Sequence, residues 1–152
     1  MREMVDHRFF DDSKFFHVIP DFMVHLGIHK DSYESNRWDQ MRIPDDRDIG
    51  IKHLAGTVAF ITKGKNSRTT HMFINLRDNS PLDGFGLLPF ARIVEGLETV
   101  KAINSEYAER PDMFKAKEVG NKYLEENFPR LSSIVRTSYL QDEYEEDPND
   151  EL

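Results

Sequence analysis

The hydrophobic pattern predicts a tight pair of strands near the N-terminus. Two apolar runs, residues 15–19 and 22–26, are joined across Pro20-Asp21, a dipeptide typical of turns. Because side chains alternate between the two faces of a strand, His17 and His25 each take one face of their strand. These imidazoles either line a pocket or are half-buried histidines with hydrogen-bond partners. The spacing alone favours the second interpretation.

The rest of the pattern predicts more short strands and few helices. Apolar residues at spacings of three and four predict a helix that begins at Gly96 and ends before Pro111, and a second helix is predicted over 118–126. Residues 28–55 are charged and weakly periodic, which predicts mostly loop with one short helical turn near Trp38. Runs rich in β-branched and aromatic residues predict four further strands, at 56–62, 71–76, 90–94 and 134–141. Short strands with long loops favour a barrel or a sandwich.

Composition divides the chain into a folded part and a charged end. A length of 152 residues is typical of one domain with a real core. The net charge of −8 argues against a nucleic-acid partner, which requires a basic face. Seven carboxylates and no Lys or Arg fall between Asp142 and Glu151. Such a block is typical of a solvated tail, so we predict a domain over 1–140 and an acidic, disordered tail over 141–152.

The chain gives little information on where the protein works. It has no cysteine, which excludes disulfides and thiolate metal sites. No apolar run approaches the ~20 residues that cross a bilayer, and the first residues lack the apolar core of a signal peptide. The last four residues, 149–152, resemble an ER-retention ending, but no signal sequence accompanies them. The sequence therefore predicts no membrane span and leaves the compartment open.

Several stretches carry the motifs of one known family in a consistent order. Any single motif is weak evidence, but together they extend from about Phe9 to about Leu140. On these motifs the chain resembles the cyclophilins. The matching motifs are F-[HF]-R-V-I-P-G-F-M-x-Q at 15–25, G-P-N-S-x-x-S/T-Q-F-F-I-N at 64–75, L-D-G…F-G-x-V-x-E-G at 82–84 and 89–96, and, at 120–131, the C-terminal region of a branch that writes L-D-G-x-G-F-A-P-F-G.

The resemblance implies a fold that is mainly β with helices, an antiparallel barrel of eight strands capped by two helices. The family has two strands and a helix before the stretch that matches Phe9-Phe10-Asp11, but only residues 1–8 precede it here. We therefore expect this barrel to lack its first two strands and first helix. An open edge invites pairing with another chain. Either the N-terminus is incomplete or divergent, which we favour, or a partner chain completes the barrel edge.

The resemblance also implies cis–trans isomerisation of a proline-containing peptide or protein. Rotation about an amide costs ~20 kcal/mol because the nitrogen lone pair is delocalised. A cation that hydrogen-bonds the prolyl nitrogen favours the twisted state, while donors hold the preceding carbonyl and an apolar pocket seats the ring. This chemistry requires no cofactor and no metal.

The family's site is retained in its apolar half and changed in its polar half. The residues that match the apolar, substrate-binding pocket are Phe22, Met23, Phe73 and Leu82. His17 stands in the position of the catalytic Arg, and His25 and His71 stand in the positions of two Gln. Arg is always charged, whereas free imidazole with a pKa of ~6.5 is mostly neutral at pH 7. Because losing one preorganised donor costs about 10²–10³ in rate, we expect weak or no activity.

Two functions from different classes remain open at this point. One is a foldase that binds and isomerises X-Pro segments, which the apolar pocket supports. The other is a degenerate cyclophilin fold kept as a structural or assembly subunit of a larger complex, which the histidines and the short N-terminus support. In a third hypothesis, His17, His25 and His71 hold Zn²⁺ or act as a pH-sensitive peptide grip. We expect no metal, because the sequence shows no matched carboxylate that would orient the imidazoles. His29 and His53 lie in polar stretches and are predicted to be solvated.

Overall fold

The apolar runs of the sequence form one antiparallel sheet, and helices pack around it. The computed structural model describes residues 1–140, so the predicted acidic tail at 141–152 lies outside the described residues. The strands are β1 (His17–Ile19), β2 (Met23–Leu26), β3 (Thr57–Phe60), β4 (Met72–Asn75) and β5 (Pro89–Arg92), in the order β1-β2-β4-β3-β5. The helices are α1 (Arg2–Asp6), α2 (Ser32–Asp39), α3 (Leu97–Lys101), α4 (Met113–Val119) and α5 (Asn121–Asn127), with a 3-10 helix at Ser80–Leu82. The fold is mainly β with helices, as predicted.

One face of the sheet forms the main hydrophobic core. Strand pairing places Val18 opposite Val24 and Val24 opposite Ile74, so these three side chains share the inward face. The aromatic pair Phe9-Phe10 is buried in the same cluster. The residues that alternate with them on β1 and β2 therefore face away from this core.

A second apolar cluster fixes α4 and α5 beside the hairpin of β1 and β2. Asp112 caps α4, because its carboxylate accepts hydrogen bonds from the backbone N–H groups of Phe114 and Lys115. Pro111, which precedes this cap, is fully buried. The buried members of the cluster are Phe16, Ile28, Tyr107, Ala116, Leu124 and Leu131.

Two residues with positive φ shape the hairpin and its exit. Asp21 has φ 55° in the turn, a conformation that a short polar side chain tolerates. Gly27 follows β2 with φ 115°, and a Cβ there would lie 2.2 Å from the carbonyl oxygen of Thr70. Only glycine fits such an approach. At Gly27, the chain just before β4 therefore packs directly against the end of β2.

The helices differ most from the expectation. The segment 28–55 contains α2, which begins at an Asp31 cap whose side chain accepts from the N–H of Glu34, a local signal that periodicity does not show. The helix predicted from Gly96 ends with α3. Val100 and Ile103 pack against the main core, whereas Tyr107, the last residue of the predicted stripe, belongs to the second cluster. Gly120, at φ 79° and ψ −158°, divides the helix predicted at 118–126 between α4 and α5. The short helix α1 had no counterpart in the prediction.

The last predicted strand is wrong in its described part, residues 134–140, which contains no strand. A single bridge joins Lys14 to Ser133, and the N–H of Ile134 donates to the carbonyl of Ser13. Asp12, at φ 61°, interrupts the extended backbone that a longer ladder would need.

The described sheet leaves β5 at one edge. Within residues 1–140, β5 pairs with β3 alone, and the sheet has five strands where the resemblance implies eight. No helix in the same part of the chain is long and apolar enough to span a membrane.

Candidate functional site

Three histidines come together on the face of the sheet opposite the main core. The register places His17 opposite His25 and His25 opposite Phe73, so these side chains share one face. His71 precedes β4 by one residue and shares the face of Phe73. The ring centroids of His17 and His25 lie 5.8 Å apart, and those of His25 and His71 lie 5.3 Å apart. These imidazoles form one cluster.

His25 and His71 form a hydrogen-bonded pair, with His25 Nε2 3.2 Å from His71 Nδ1. Burial lowers the pKa of His25 to about 3, and the neighbouring His71 and His17 lower it further. Burial also lowers the pKa of His71 to about 4, aided by the charge of Lys117 and opposed by that of Asp39. Both rings are therefore neutral at pH 7. Each neutral ring has one N–H, so the pair uses one internally and keeps one for a ligand.

His17 is held by the segment that precedes α4. Its Nε2 lies 2.7 Å from the carbonyl oxygen of Pro111, so this nitrogen carries the proton and donates. The Phe16 ring packs against both imidazoles: its centroid lies 4.9 Å from that of His17 and 4.4 Å from that of His25. In the neutral form of His17, the only N–H is therefore used inside the protein.

The histidine cluster does not support the zinc interpretation. In residues 1–140, no group of three or more His, Cys, Asp or Glu side chains is placed to hold a metal ion. The imidazole nitrogens that approach other groups make hydrogen bonds to Pro111 and to each other.

The four apolar residues that match the family's pocket lie on neighbouring elements. Phe73 is buried in β4, whereas Phe22, Met23 and Leu82 are half-buried. Phe22 closes the hairpin turn, and the Arg77 guanidinium lies 5.8 Å from the centre of its ring. Leu82 ends the 3-10 helix. These half-buried side chains provide apolar surface that a ligand can cover.

A buried polar network, centred on His53, supports this apolar surface. The His53 ring stacks on Phe73 with centroids 5.7 Å apart and planes at 10°. Its Nδ1 accepts from Asn75 Nδ2 at 3.1 Å, so Nε2 carries the proton and donates to the carbonyl of Leu87 at 2.7 Å. His53 is fully buried, so the prediction that it is solvated is wrong. Partners distant in sequence satisfy both ring nitrogens.

Asn79 extends the network to the hairpin turn. Its Nδ2 donates to the carbonyl of Phe22 at 2.9 Å and to Asn75 Oδ1 at 2.7 Å. The backbone N–H of Asn79 donates to the carbonyl of His53, whose own N–H donates to Asp83 Oδ1 at 3.0 Å. The network thus fixes the relative positions of the turn, the end of β4 and the loop after the 3-10 helix.

A pocket of about 310 Å³ opens beside the histidine pair. The four apolar residues lie outside its lining. Met23 and Phe73 share a face of the sheet with His25, so the pocket and the apolar surface are neighbouring parts of one face. The lining residues are His25, Asp39, Arg42, Ile61, Lys63, Ser67, Thr69, His71 and Met113.

The rim of this pocket is positively charged. Burial would raise the pKa of Asp39, but the hydrogen bond and charge of Lys117, whose Nζ lies 2.6 Å from Asp39 Oδ2, hold it below its ordinary value. Asp39 therefore stays ionised, and the charge of Lys117 compensates its negative charge. Arg42 and Lys63 are exposed, and neither forms an ion pair within residues 1–140. Within the described residues, the rim therefore offers two cations without an ion-pair partner.

Sequence reasoning missed the buried polar network around His53 and the charged residues of the pocket rim. Asp39 and Arg42 lie far from every motif, and only folding brings them to His71. Asn75, a polar residue at the end of an apolar run, was the one available signal of a buried network, because buried amides need partners.

Comparison with known proteins relates the chain to one family. The family described as "Cyclophilin type peptidyl-prolyl cis-trans isomerase/CLD" matches residues 1–121. Peptidyl-prolyl cis-trans isomerase A of Dickeya dadantii is 31% identical over 107 residues, which cover 67% of this chain and 56% of that protein. Peptidyl-prolyl cis-trans isomerase B of Escherichia coli is 28% identical over 137 residues, which cover 85% and 76%. The match thus spans little more than half of the first relative.

Solved structures show the same fold at low identity. The crystal structure of a cyclophilin-type peptidyl-prolyl cis-trans isomerase from Cryptosporidium parvum superposes with a TM-score of 0.54 at 16% identity, covering 66% of this chain and 65% of that one. The structure of that protein in the presence of the dipeptide Ala-Pro gives a TM-score of 0.52 at 15% identity, with the same coverage.

Proposed function

The chain belongs to the cyclophilin-type peptidyl-prolyl cis-trans isomerase family, and from this membership we propose that it binds X-Pro segments through a catalytically degenerate site. The proposed isomerase activity is weak or absent. The observation that carries the proposal is the hydrogen bond from His17 Nε2 to the Pro111 carbonyl. This hydrogen bond uses the Nε2–H of His17, the residue that stands where the family has its catalytic Arg.

The chemistry of rotation explains why this contact matters. The twisted amide localises a lone pair on the prolyl nitrogen, and a cationic donor aimed at that nitrogen lowers a barrier of ~20 kcal/mol. Neutral His17 has no second N–H to offer. His25 and His71 are neutral as well, because burial lowers the pKa of both. The buried pair of His25 and His71 therefore supplies no cation to the twisted state.

The binding half of the site has more support than the catalytic half. The histidine pair keeps one N–H for a peptide carbonyl. Phe22, Met23 and Leu82 are half-buried beside buried Phe73, which suits a proline ring. Uniform binding of ground state and twisted state gives affinity without acceleration.

Two measurements on the same preparation test this proposal. A protease-coupled isomerisation assay on a proline tetrapeptide gives the rate, and NMR titration with that peptide gives the affinity. We expect measurable binding with a rate at least about 10²-fold below that of an ordinary cyclophilin. A rate within tenfold of an ordinary cyclophilin would overturn the degenerate site, and absence of binding would overturn the peptide-binding role.

The variant His17→Arg separates the missing cation from other defects. If the rest of the site is competent, the variant gains activity while peptide affinity changes little. His29→Arg is the matched control, because His29 is a half-buried loop histidine that accepts from the N–H of Asp31. A gain in both variants would show that the effect is not local.

The open edge of β5 favours a second candidate function, an assembly subunit whose barrel a partner chain completes. Within residues 1–140, β5 pairs only with β3, and exposed edges are sites of strand addition. Nearby Val94 is 81% exposed. Amide exchange of residues 90–92 tests the idea, since Pro89 has no N–H: protection that rises with protein concentration supports strand addition between copies. Exchange that stays fast and concentration-independent argues against it.

A further inference from the structure

We propose that the acidic C-terminal segment, with its Asp147-Pro148 dipeptide, is a ligand for the cleft of the same molecule. The inference rests on the proposed function, because it assigns an X-Pro segment to that site. The sequence around the dipeptide reads Glu145-Glu146-Asp147-Pro148-Asn149-Asp150-Glu151. The occupant is therefore an anionic peptide with one proline.

Charge complementarity supports this occupant. Seven of the eight net negative charges of the chain lie between Asp142 and Glu151, which leaves the rest at −1. On the described surface, Arg42 and Lys63 line the pocket beside His71 without ion-pair partners, and Asp39 is neutralised by Lys117. The Arg77 guanidinium lies over Phe22, at the apolar end of the same face. A proline flanked by carboxylates matches apolar surface flanked by cations.

The end of the described chain lies close enough for binding within one molecule. Tyr139 Oη donates to the carbonyl of Arg2 at 3.0 Å, and the Arg2 guanidinium lies 5.9 Å from the centre of its ring. Arg2 lines a hollow of about 450 Å³ that shares Arg42 and Thr69 with the pocket beside His71. The nine Cα-to-Cα steps from Tyr139 to Pro148 span up to about 30 Å when the chain is extended.

A tethered ligand also needs little intrinsic affinity. A short flexible linker gives an effective concentration in the millimolar range, so weak charge and proline contacts are sufficient to populate the bound state. An external client would then have to compete with the tail. This arrangement would select for clients that are acidic as well as proline-containing.

Paramagnetic relaxation in the full chain tests the proposal. The chain has no cysteine, so Asn149→Cys provides a single attachment point for a nitroxide label. We expect amide signals of His25, Ile61 and Thr69 to lose intensity, while those of α3 keep it. Raising the salt to about 1 M, where the Debye length is ~3 Å, should restore the signals. Equal intensities throughout in the low-salt sample would overturn the proposal.

Three comparisons decide which part of the proposal holds. Lys63→Glu should abolish the broadening, whereas Lys65→Glu, an exposed change in the same turn, should leave it. Pro148→Ala should weaken it; an unchanged pattern would overturn recognition of the proline. A mixture of labelled and isotope-enriched molecules should show no broadening, and broadening there would make a second copy the occupant and overturn binding within one molecule. Because no external peptide or turnover is involved, a failure here leaves the proposed peptide binding standing.

Discussion

His25 Nε2 lies 3.2 Å from His71 Nδ1, a contact that joins β2 to the chain entering β4. The contact requires a lone pair on one ring, and burial favours the neutral form of both. In a working cyclophilin-type site the corresponding positions carry amides, which the resemblance implies and which do not titrate. The substitution of imidazoles thus introduces a sensitivity to acid.

The first prediction is a loss of stability on acidification. In the unfolded chain both rings titrate near the ordinary pKa of 6.5, whereas in the folded chain the pKa values are about 3 for His25 and about 4 for His71. The unfolded state therefore binds more protons below pH 6.5. The contribution of the two rings to stability is complete above pH 6.5. It falls as the pH decreases below that value and levels off near the folded pKa values. Each ring contributes up to ~1.4 kcal/mol per pH unit.

Urea unfolding at pH 7 and pH 5 measures this effect. We expect the two rings together to cost roughly 2–4 kcal/mol of unfolding free energy between these values. Carboxylates also titrate here, so the informative quantity is the difference between wild type and the double variant His25→Gln, His71→Gln. The double variant should lose less stability. Equal losses would show that the pair does not carry the pH dependence.

The second prediction concerns the buried network. His53→Ala removes a fully buried ring that stacks on Phe73, accepts from Asn75 and donates to the Leu87 carbonyl. Because two partners are left unsatisfied and a cavity forms, we expect the unfolding free energy to fall by about 2–4 kcal/mol. His29→Ala, at a half-buried loop position, should cost less than about 1 kcal/mol. Similar values for the two variants would remove the structural role assigned to His53.

The third prediction separates backbone strain from steric conflict at two glycines. Gly27 and Gly64 both have positive φ, 115° and 136°, but a Cβ at Gly27 would lie 2.2 Å from the Thr70 oxygen while one at Gly64 meets nothing within 4 Å. We expect Gly64→Ala to cost about 1–3 kcal/mol through backbone strain alone. Gly27→Ala should cost clearly more, because β2 and the chain before β4 must separate. Thermal unfolding of both variants measures the difference, and equal costs would contradict the close approach.

The alternation of apolar residues was sufficient to predict the hairpin and its two faces. It placed Val24 and His25 on opposite faces of their strand, because period 2 is a local property of a strand. The family register then related His17, His25 and His71 to one site, which the structure shows as one cluster. The local pattern and the order of the motifs were therefore sufficient to predict this part of the fold.

Other features depend on contacts between distant residues and could not be predicted from the sequence. α2 is defined by the Asp31 cap more than by an apolar stripe, and Gly120 divides a pattern that reads as one helix. His53 lies in a polar stretch, yet its partners at Asn75 and Leu87 are 22 and 34 residues away. Burial of a polar side chain is decided by such partners, which a single sequence does not reveal.

The fourth prediction tests whether the apolar surface binds proline. Leu82 is half-buried at the end of the 3-10 helix, and Phe85, three residues later in the same loop, is 72% exposed. If a proline ring packs on Leu82, Leu82→Ala should weaken a proline peptide about tenfold, which corresponds to ~1.4 kcal/mol, with a smaller change in unfolding free energy. Phe85→Ala removes more exposed apolar area from the same loop and should leave affinity unchanged. NMR titration with the peptide, and with a version in which Ala replaces its proline, provides the measurement. Equal weakening by both variants would indicate nonspecific binding to the loop, and the apolar surface would then lose its assignment.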